Sequence, residues 1–164
     1  MSETTGHDLS GIQYEGKQDH SLSRVALVVS KWNTEITEAL FEGASFALKE
    51  AGIPASHIIR ADVPGSYELP WGAQCVLDAD PEVDGVILLG CVIQGETRHF
   101  DFICDAVAQG CMRVGLDHKK PVIFGVLTPD TQQQALDRAG GKYGNKGIEA
   151  AVALLEMLDL QNSL

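Results

Sequence analysis

The chain has 164 residues, 45% of them hydrophobic and 21% charged, which suits one compact domain with a sizeable core and leaves no room for a second full domain. Twelve Lys and Arg against 23 Asp and Glu give a net charge of -11, which repels a phosphate backbone and excludes nucleic acid as a partner. The same field opposes any anionic small substrate, so a phosphorylated ligand needs a local cationic site.

Residues 1–23 are polar with scattered apolar positions, and alone they cannot bury enough surface to hold a fold. This arm is either disordered or docked. Its Leu9, Ile12 and Tyr14 suit a short strand at a sheet edge supplied by a neighbouring subunit. The domain proper runs over 24–164. From Arg24 onward, short β-branched runs alternate with longer helical patterns, the signature of right-handed βαβ units around a parallel sheet.

Residues 25–29 (VALVV) make the first strand. A helix follows from about Thr34, with Ile36, Leu40, Ala44, Ala47 and Leu48 on one face, until Gly52 and Pro54 stop it. Residues 58–63 (IIRADV) make the second strand, broken by Pro64 and Gly65, and Ser66 is placed to cap a helix running through Cys75 to Leu77. Residues 86–89 are the third strand. Beyond Gly90 comes a loop, then a helix over about 100–115, punctuated by Gly110. Residues 121–127 form the fourth strand and 131–138 a short helix, which Gly140 and Gly141 interrupt. A last helix over about 146–158 turns Ile148, Val152, Leu155 and Met157 to an apolar side.

The cysteines, Cys75, Cys91, Cys104 and Cys111, sit mostly in apolar segments without CxxC spacing, so they read as reduced core residues and no metal site is expected. There is no run of 18 apolar residues, and the amino-terminal stretch lacks the basic and apolar regions of a signal peptide. The expectation is a cytoplasmic protein with no membrane partner.

In an open parallel sheet, ligands bind beyond the carboxyl ends of the strands, where loops diverge and helix amino ends converge. Strand one ends in Ser30-Lys31-Trp32-Asn33, strand two in 63–68 (VPGSYE) and strand three in 90–99 (GCVIQGETRH), which gathers aromatic, polar and ionisable groups on one rim. Trp32 and Tyr67 are equally readable as large loop residues covering the sheet. Residues 95–99 precede a helix, so their backbone N–H groups suit an anion, or else Thr97 simply caps the helix. His99 suits a proton shuttle, since imidazole titrates near about 6.5, and also a solvated side chain. Arg138 offers a planar fork to a phosphate or a favourable charge at a helix carboxyl end.

Taken in order, VPGSYELP at 63–70, GCVIQGETRHFDFI at 90–103, PVIFGVLT at 121–128 and DRAGGKYGNKG at 137–147 strongly resemble the lumazine synthase family. The resemblance covers roughly Arg24 to the last helix. It implies a flavodoxin-like α/β fold: a three-layer α/β/α sandwich on a four-stranded parallel sheet, with an arm available to add an edge strand. It implies a transferase that condenses 5-amino-6-ribitylamino-2,4-pyrimidinedione with 3,4-dihydroxy-2-butanone 4-phosphate, losing orthophosphate and water, with no cofactor.

Mapped by residue, the resemblance makes Trp32 the surface that stacks on the pyrimidine, a place often filled by Phe. Ser66, Tyr67 and Glu68 line the ribityl chain. Cys91, Val92 and Ile93 supply backbone contacts to the ring, and Cys91 stands where many members carry Thr. Phe124 completes the ring pocket from a neighbouring subunit. Glu96 and Thr97 offer main-chain N–H groups to the phosphate, Arg138 binds it, and Lys146 is a further cation on that side. His99 is the proton-transfer residue. The family further implies a homopentamer, here leaning to a 60-subunit icosahedral shell because the link between the last two helices is short, and riboflavin synthase as a pathway partner. Two other readings share the fold: a flavin-binding module without catalysis, and a purely structural shell subunit. His99 and Arg138 together argue against both, since a passive site needs no paired proton shuttle and phosphate clamp.

Overall fold

The computed structural model describes residues 11–164. Strands β1 (Val25–Ser30), β2 (Ile58–Val63), β3 (Gly85–Cys91) and β4 (Val122–Leu127) form one sheet in the order β2-β1-β3-β4, every neighbouring pair parallel. The connecting helices are α1 (Thr34–Glu50), α2 (Leu69–Ala79), α3 (His99–His118), α4 (Gln132–Arg138) and α5 (Lys146–Ser163). This is the three-layer arrangement expected.

Side-chain alternation along the strands builds the two halves of the core. Val25, Leu27 and Val29 of β1, with Ile87 and Leu89 of β3, point to one face and pack on Ile36, Leu40 and Leu48 of α1 and Leu154 and Leu155 of α5. Ala26 and Val28, with Val86 and Leu88, point to the other face and meet Leu69, Ala73 and Leu77 of α2 and Val107, Cys111 and Val114 of α3. Both central strands are buried throughout, which explains their unbroken apolar runs.

Several boundaries differ from the sequence expectation. Ser66 does not cap α2. It lies in a 3-10 turn, Ser66–Glu68, and the N–H of Gly65 just before it donates to the Glu68 carboxylate at 3.0 Å. Gly110 does not punctuate α3, which runs on to His118; a side chain there would press on Pro70 of α2, so this glycine serves close helix packing. Gly140 and Gly141 belong to a small antiparallel hairpin of β5 (Ala139–Gly141) and β6 (Gly144–Asn145) that links α4 to α5. Of the cysteines read as core residues, Cys91 and Cys111 are buried, Cys104 is half-buried and Cys75 is exposed.

The described part of the arm carries no strand in this chain. Leu9 lies outside the described residues; Ile12 and Tyr14 lie in coil, and the described part of the arm is docked on α5. The Tyr14 hydroxyl donates to Asp159 Oδ2 at 2.7 Å, and His20, 1% exposed, sits 2.9 Å from Asp159 Oδ1 through Nε2 and 3.2 Å from Ser23 Oγ through Nδ1. Burial, then the neighbouring Asp159 carboxylate, push the Tyr14 hydroxyl up to about 12.

Helices α1 and α5 touch backbone to backbone. A Cβ at Gly147 would collide with the Leu40 carbonyl oxygen, so the first turn of α5 requires glycine. Gly147→Ala is expected to cost about 1–3 kcal/mol by overpacking; an unchanged denaturation midpoint would contradict this packing.

In the helical layer on the other face of the sheet, His118 of α3 bonds Asp78 of α2 at 2.9 Å through Nε2 and the Val114 carbonyl at 2.9 Å through Nδ1, which raises its pKa. A raised folded-state value means the fold binds the proton more tightly than the unfolded chain does. The resulting stability is complete below the unfolded value of about 6.5 and is lost as pH rises through the higher folded one. His118→Gln should therefore lower the thermal midpoint more at about pH 5.5 than at about pH 8.5. Equal losses at both would show that the ion pair is not the source.

Candidate active site

The loops after β1, β2 and β3 meet at one rim of the sheet. The N–H groups of Lys31 and Trp32 donate to the Val63 and Pro64 carbonyls at 2.9–3.2 Å, which zips the first loop to the second. One face of the Trp32 indole lies on Gly65, where any Cβ would collide with the ring; the residue is 67% exposed, so its other face is open. Asn33 adopts a left-handed conformation (φ 59°, ψ 48°) and donates from Nδ2 to the Cys91 carbonyl at 3.0 Å, joining the first loop to the third.

Along the second loop, Ser66 is buried with an unpartnered hydroxyl, Tyr67 is exposed, and Glu68 is half-buried. An unmet buried hydroxyl costs free energy unless water or a ligand satisfies it. In the third, burial pushes the Cys91 thiol up to about 12, so it is a neutral packing group rather than a nucleophile. Val92 N–H donates to the Leu127 carbonyl at 2.8 Å and Gln94 N–H to the Pro129 carbonyl at 2.9 Å. The Ile93 N–H makes no hydrogen bond among the described residues.

Glu96, Thr97 and His99 are exposed at the amino end of α3. Arg98 occupies the cap position and no side chain caps the helix; Thr97 Oγ1 is 3.4 Å from the His99 nitrogen, a long contact. The amino end of a long helix is thus left with donors for an anion.

A second set lies on the far side of β4. Phe124, Arg138 and Lys146 share a groove of about 510 Å³ with Thr128, Gln134 and Glu149. Lys146 Nζ is 2.8 Å from Glu149 Oε1, so its charge is already matched. Arg138 differs from every other arginine. Arg24, Arg60, Arg98 and Arg113 each pair with a carboxylate. The Arg138 guanidinium instead lies 4.9 Å from the Tyr143 ring centroid and donates to the Gln134 carbonyl at 3.2 Å, with no carboxylate partner among the described residues.

The structure therefore brings Trp32, Ser66, Tyr67, Glu68, Cys91, Val92, Ile93, Glu96, Thr97 and His99 to the ends of β1 to β3, and Phe124, Arg138 and Lys146 to the groove. No side chain of the first set bonds one of the second among the described residues. Three residues of the site had no role in the sequence reading: Asn33, Gly65 and Glu149. Asn33 was detectable as a residue type that tolerates the left-handed region, and Glu149 by its spacing of three from Lys146 on a helix. Gly65 carried no signal beyond its turn. Among the described residues no group of three or more His, Cys, Asp or Glu is placed to hold a metal ion.

Comparison with known proteins gives a consistent family. The model of the family described as 6,7-dimethyl-8-ribityllumazine synthase matches residues 23–162. A protein of that name from Cytophaga hutchinsonii is 59% identical over 146 residues, 88% of this chain and 91% of its own. Those from Parabacteroides distasonis (45% over 156 residues; 95% and 97%) and Porphyromonas gingivalis (48% over 158 residues; 96% and 98%) are similar along nearly the whole length.

The indole's seat on Gly65 has a direct consequence. In a Trp71→Phe background, which leaves Trp32 as the remaining tryptophan, Gly65→Ala should shift the emission maximum and lower stability by about 1–3 kcal/mol. If neither moved, the ring would not rest on that glycine.

Proposed function

From the premise that the chain belongs to the 6,7-dimethyl-8-ribityllumazine synthase family, we propose how its own side chains perform the family's reaction. The chain is a transferase of riboflavin biosynthesis. It condenses 5-amino-6-ribitylamino-2,4-pyrimidinedione with 3,4-dihydroxy-2-butanone 4-phosphate to give 6,7-dimethyl-8-ribityllumazine.

The observation that carries the site assignment is the Arg138 guanidinium, without a carboxylate partner among the described residues of a chain with net charge -11. A phosphate dianion meets a free planar fork there, while Lys146, held by Glu149, supports the same side. The N–H groups at Glu96 and Thr97, ahead of α3, donate to the phosphate from the opposite direction.

The pyrimidine stacks on the open face of Trp32 and takes backbone hydrogen bonds from the β3 end, the Ile93 N–H being the donor left for it. The ribityl chain runs along the second loop, where the Ser66 hydroxyl can donate or accept a hydrogen bond and the Glu68 carboxylate accepts hydrogen bonds from the ribityl hydroxyls. Phe124 closes the ring pocket from a neighbouring subunit.

The aromatic amine attacks the ketone and water leaves as the imine forms; orthophosphate is then eliminated together with a proton from the adjoining hydroxyl-bearing carbon, and the resulting enol tautomerises to a methyl ketone. The ribitylamino nitrogen attacks this newly formed carbonyl, and a second water leaves as the ring closes. Every stage moves a proton, and His99, exposed at the start of α3, is the group that carries it. Holding two reactants together contributes up to roughly 7–11 kcal/mol of the barrier reduction, so the proton shuttle is the smaller share.

The assembly proposed is a homopentamer with sites at its junctions, twelve of which close into a 60-subunit icosahedral shell. What supports an assembly is the apolar groove of about 560 Å³ beside β4, with Met112, Leu116 and Leu160 exposed on its walls, since such patches are rarely left bare. In this reading residues 1–23 are an arm apart from the 24–164 domain, available to add a strand at a neighbour's sheet edge. The cytoplasm is the proposed location, in keeping with four free thiols. Riboflavin synthase is the partner that takes the product. Sedimentation tests the shell: a particle no larger than a pentamer contradicts it.

With both substrates and lumazine fluorescence as readout, His99→Ala should lower kcat by about 10²- to 10⁴-fold. Arg138→Ala should raise the KM of the phosphorylated substrate by about 10- to 100-fold, the loss of a charge-assisted contact. An unchanged KM in the second variant would show that the phosphate binds elsewhere.

A further inference from the structure

We infer that Asn33 is a positioning residue for the pyrimidine ring: it clamps the corner carrying Trp32 to the end of β3 and so fixes the gap between the indole and the Val92–Ile93 backbone. The inference rests on the reading that Trp32 stacks on the pyrimidine.

Asparagine just before a helix ordinarily caps it through its side chain. Asn33 does not, although it occupies the cap position of α1. Its backbone carbonyl accepts from the Ile36 and Thr37 N–H groups at 3.0 Å each, while its amide reaches away from the helix to the Cys91 carbonyl. Starting α1 therefore does not account for this side chain. Its left-handed backbone is shared among described non-glycine residues only with Lys119, and Asn is one of the few residue types that adopt it readily.

The clamp spans a particular crevice. β1 and β3 are neighbours in the sheet, but α1 packs on one face and α3 on the other, so the loops leaving the two strands diverge. That divergence opens a binding crevice, and it also leaves the two walls without a shared element to hold their spacing. Asn33 supplies the tie. The Cys91–Val92 peptide is then gripped at both ends, its carbonyl by Asn33 Nδ2 at 3.0 Å and its N–H by the Leu127 carbonyl at 2.8 Å. The next peptide is aimed as a consequence, with the Ile93 N–H unclaimed. On the β2 side the indole is seated on Gly65. Its distance from the β3 backbone is thus set from both sides.

The test uses the full-length enzyme and separates the amide from the backbone corner. Asn33→Gly keeps the left-handed corner and removes the amide; Asn33→Asp keeps the shape but sets a carboxylate against a carbonyl. Each should raise the KM of the pyrimidine substrate about 5- to 10-fold, the loss of one hydrogen bond, with Asp the worse of the two. The KM of the phosphorylated substrate should stay within about twofold and the thermal midpoint should remain close to that of the parent. Trp32→Ala runs beside them. If Trp32→Ala weakens pyrimidine binding while Asn33→Gly leaves it at the parent value, the positioning role is wrong and the stacking reading stands. A similar rise in KM for both substrates together with a loss of stability would make Asn33 a merely structural residue and overturn the inference too. An unchanged KM in Trp32→Ala overturns both together.

Discussion

Parallel pairing of β1 with both β2 and β3 forces three successive loops to leave the sheet at the same rim, and the site depends on that geometry. Parallel strands need crossover helices, and the crossovers bury both faces of the sheet, so the central strands are apolar and carry no chemistry. Polar function is left to the strand ends. Trp32, the Ser66–Glu68 turn and the Cys91 to Ile93 backbone are neighbours because their strands are, although they lie tens of residues apart in sequence. The zip between the first two loops and the Asn33 bridge to the third turn that proximity into a defined shape.

Charge sets the second constraint. A chain this acidic gains an anionic substrate only where a cation is not already neutralised. Four of the arginines face carboxylates, Arg24 with Asp80 and Arg60 with Glu38 across elements, and Arg98 with Asp101 and Arg113 with Asp117 as exposed pairs one helical turn apart. Arg138 is held by a ring and a carbonyl, contacts that orient a guanidinium without cancelling its charge. The open amino end of α3 adds backbone dipoles rather than a full charge. These two anion-seeking features belong to different sets of residues, one at the β1 to β3 rim and one beyond β4. A phosphate that uses both joins the two sets, and the assembly proposed above makes that possible.

Much of the fold was legible because buried parallel strands leave an unmistakable record. β2 was placed at its observed bounds, and the start of α1 at Thr34, from apolar runs and a Gly52 and Pro54 stop. What was misread turned on contacts between elements. Gly110 looks like a break in one helix and is a contact surface for another. Ser66 looks like a cap, but a carboxylate two residues on takes the N–H of the preceding residue. The hairpin between α4 and α5 is too short for any periodicity to show. For the site, residue types and order pointed to Trp32, His99 and Arg138. Asn33 and Glu149 carried only weak signals, a residue type and a helical spacing, because their parts lie in the partners they hold, a carbonyl on another strand and an ammonium one turn away.

The proposed junction site draws its ring platform and proton shuttle from one subunit and its phosphate clamp from the next. Mixed oligomers measure this directly. With the phosphorylated substrate held near the parental KM, far below that of Arg138→Ala, equal amounts of His99→Ala and Arg138→Ala subunits, co-expressed so that they assemble at random, should regain about one quarter of the parental rate, because about one junction in four then joins two intact halves. Activity no higher than the average of the two separate variants would mean that both halves belong to a single chain, and would contradict the claim.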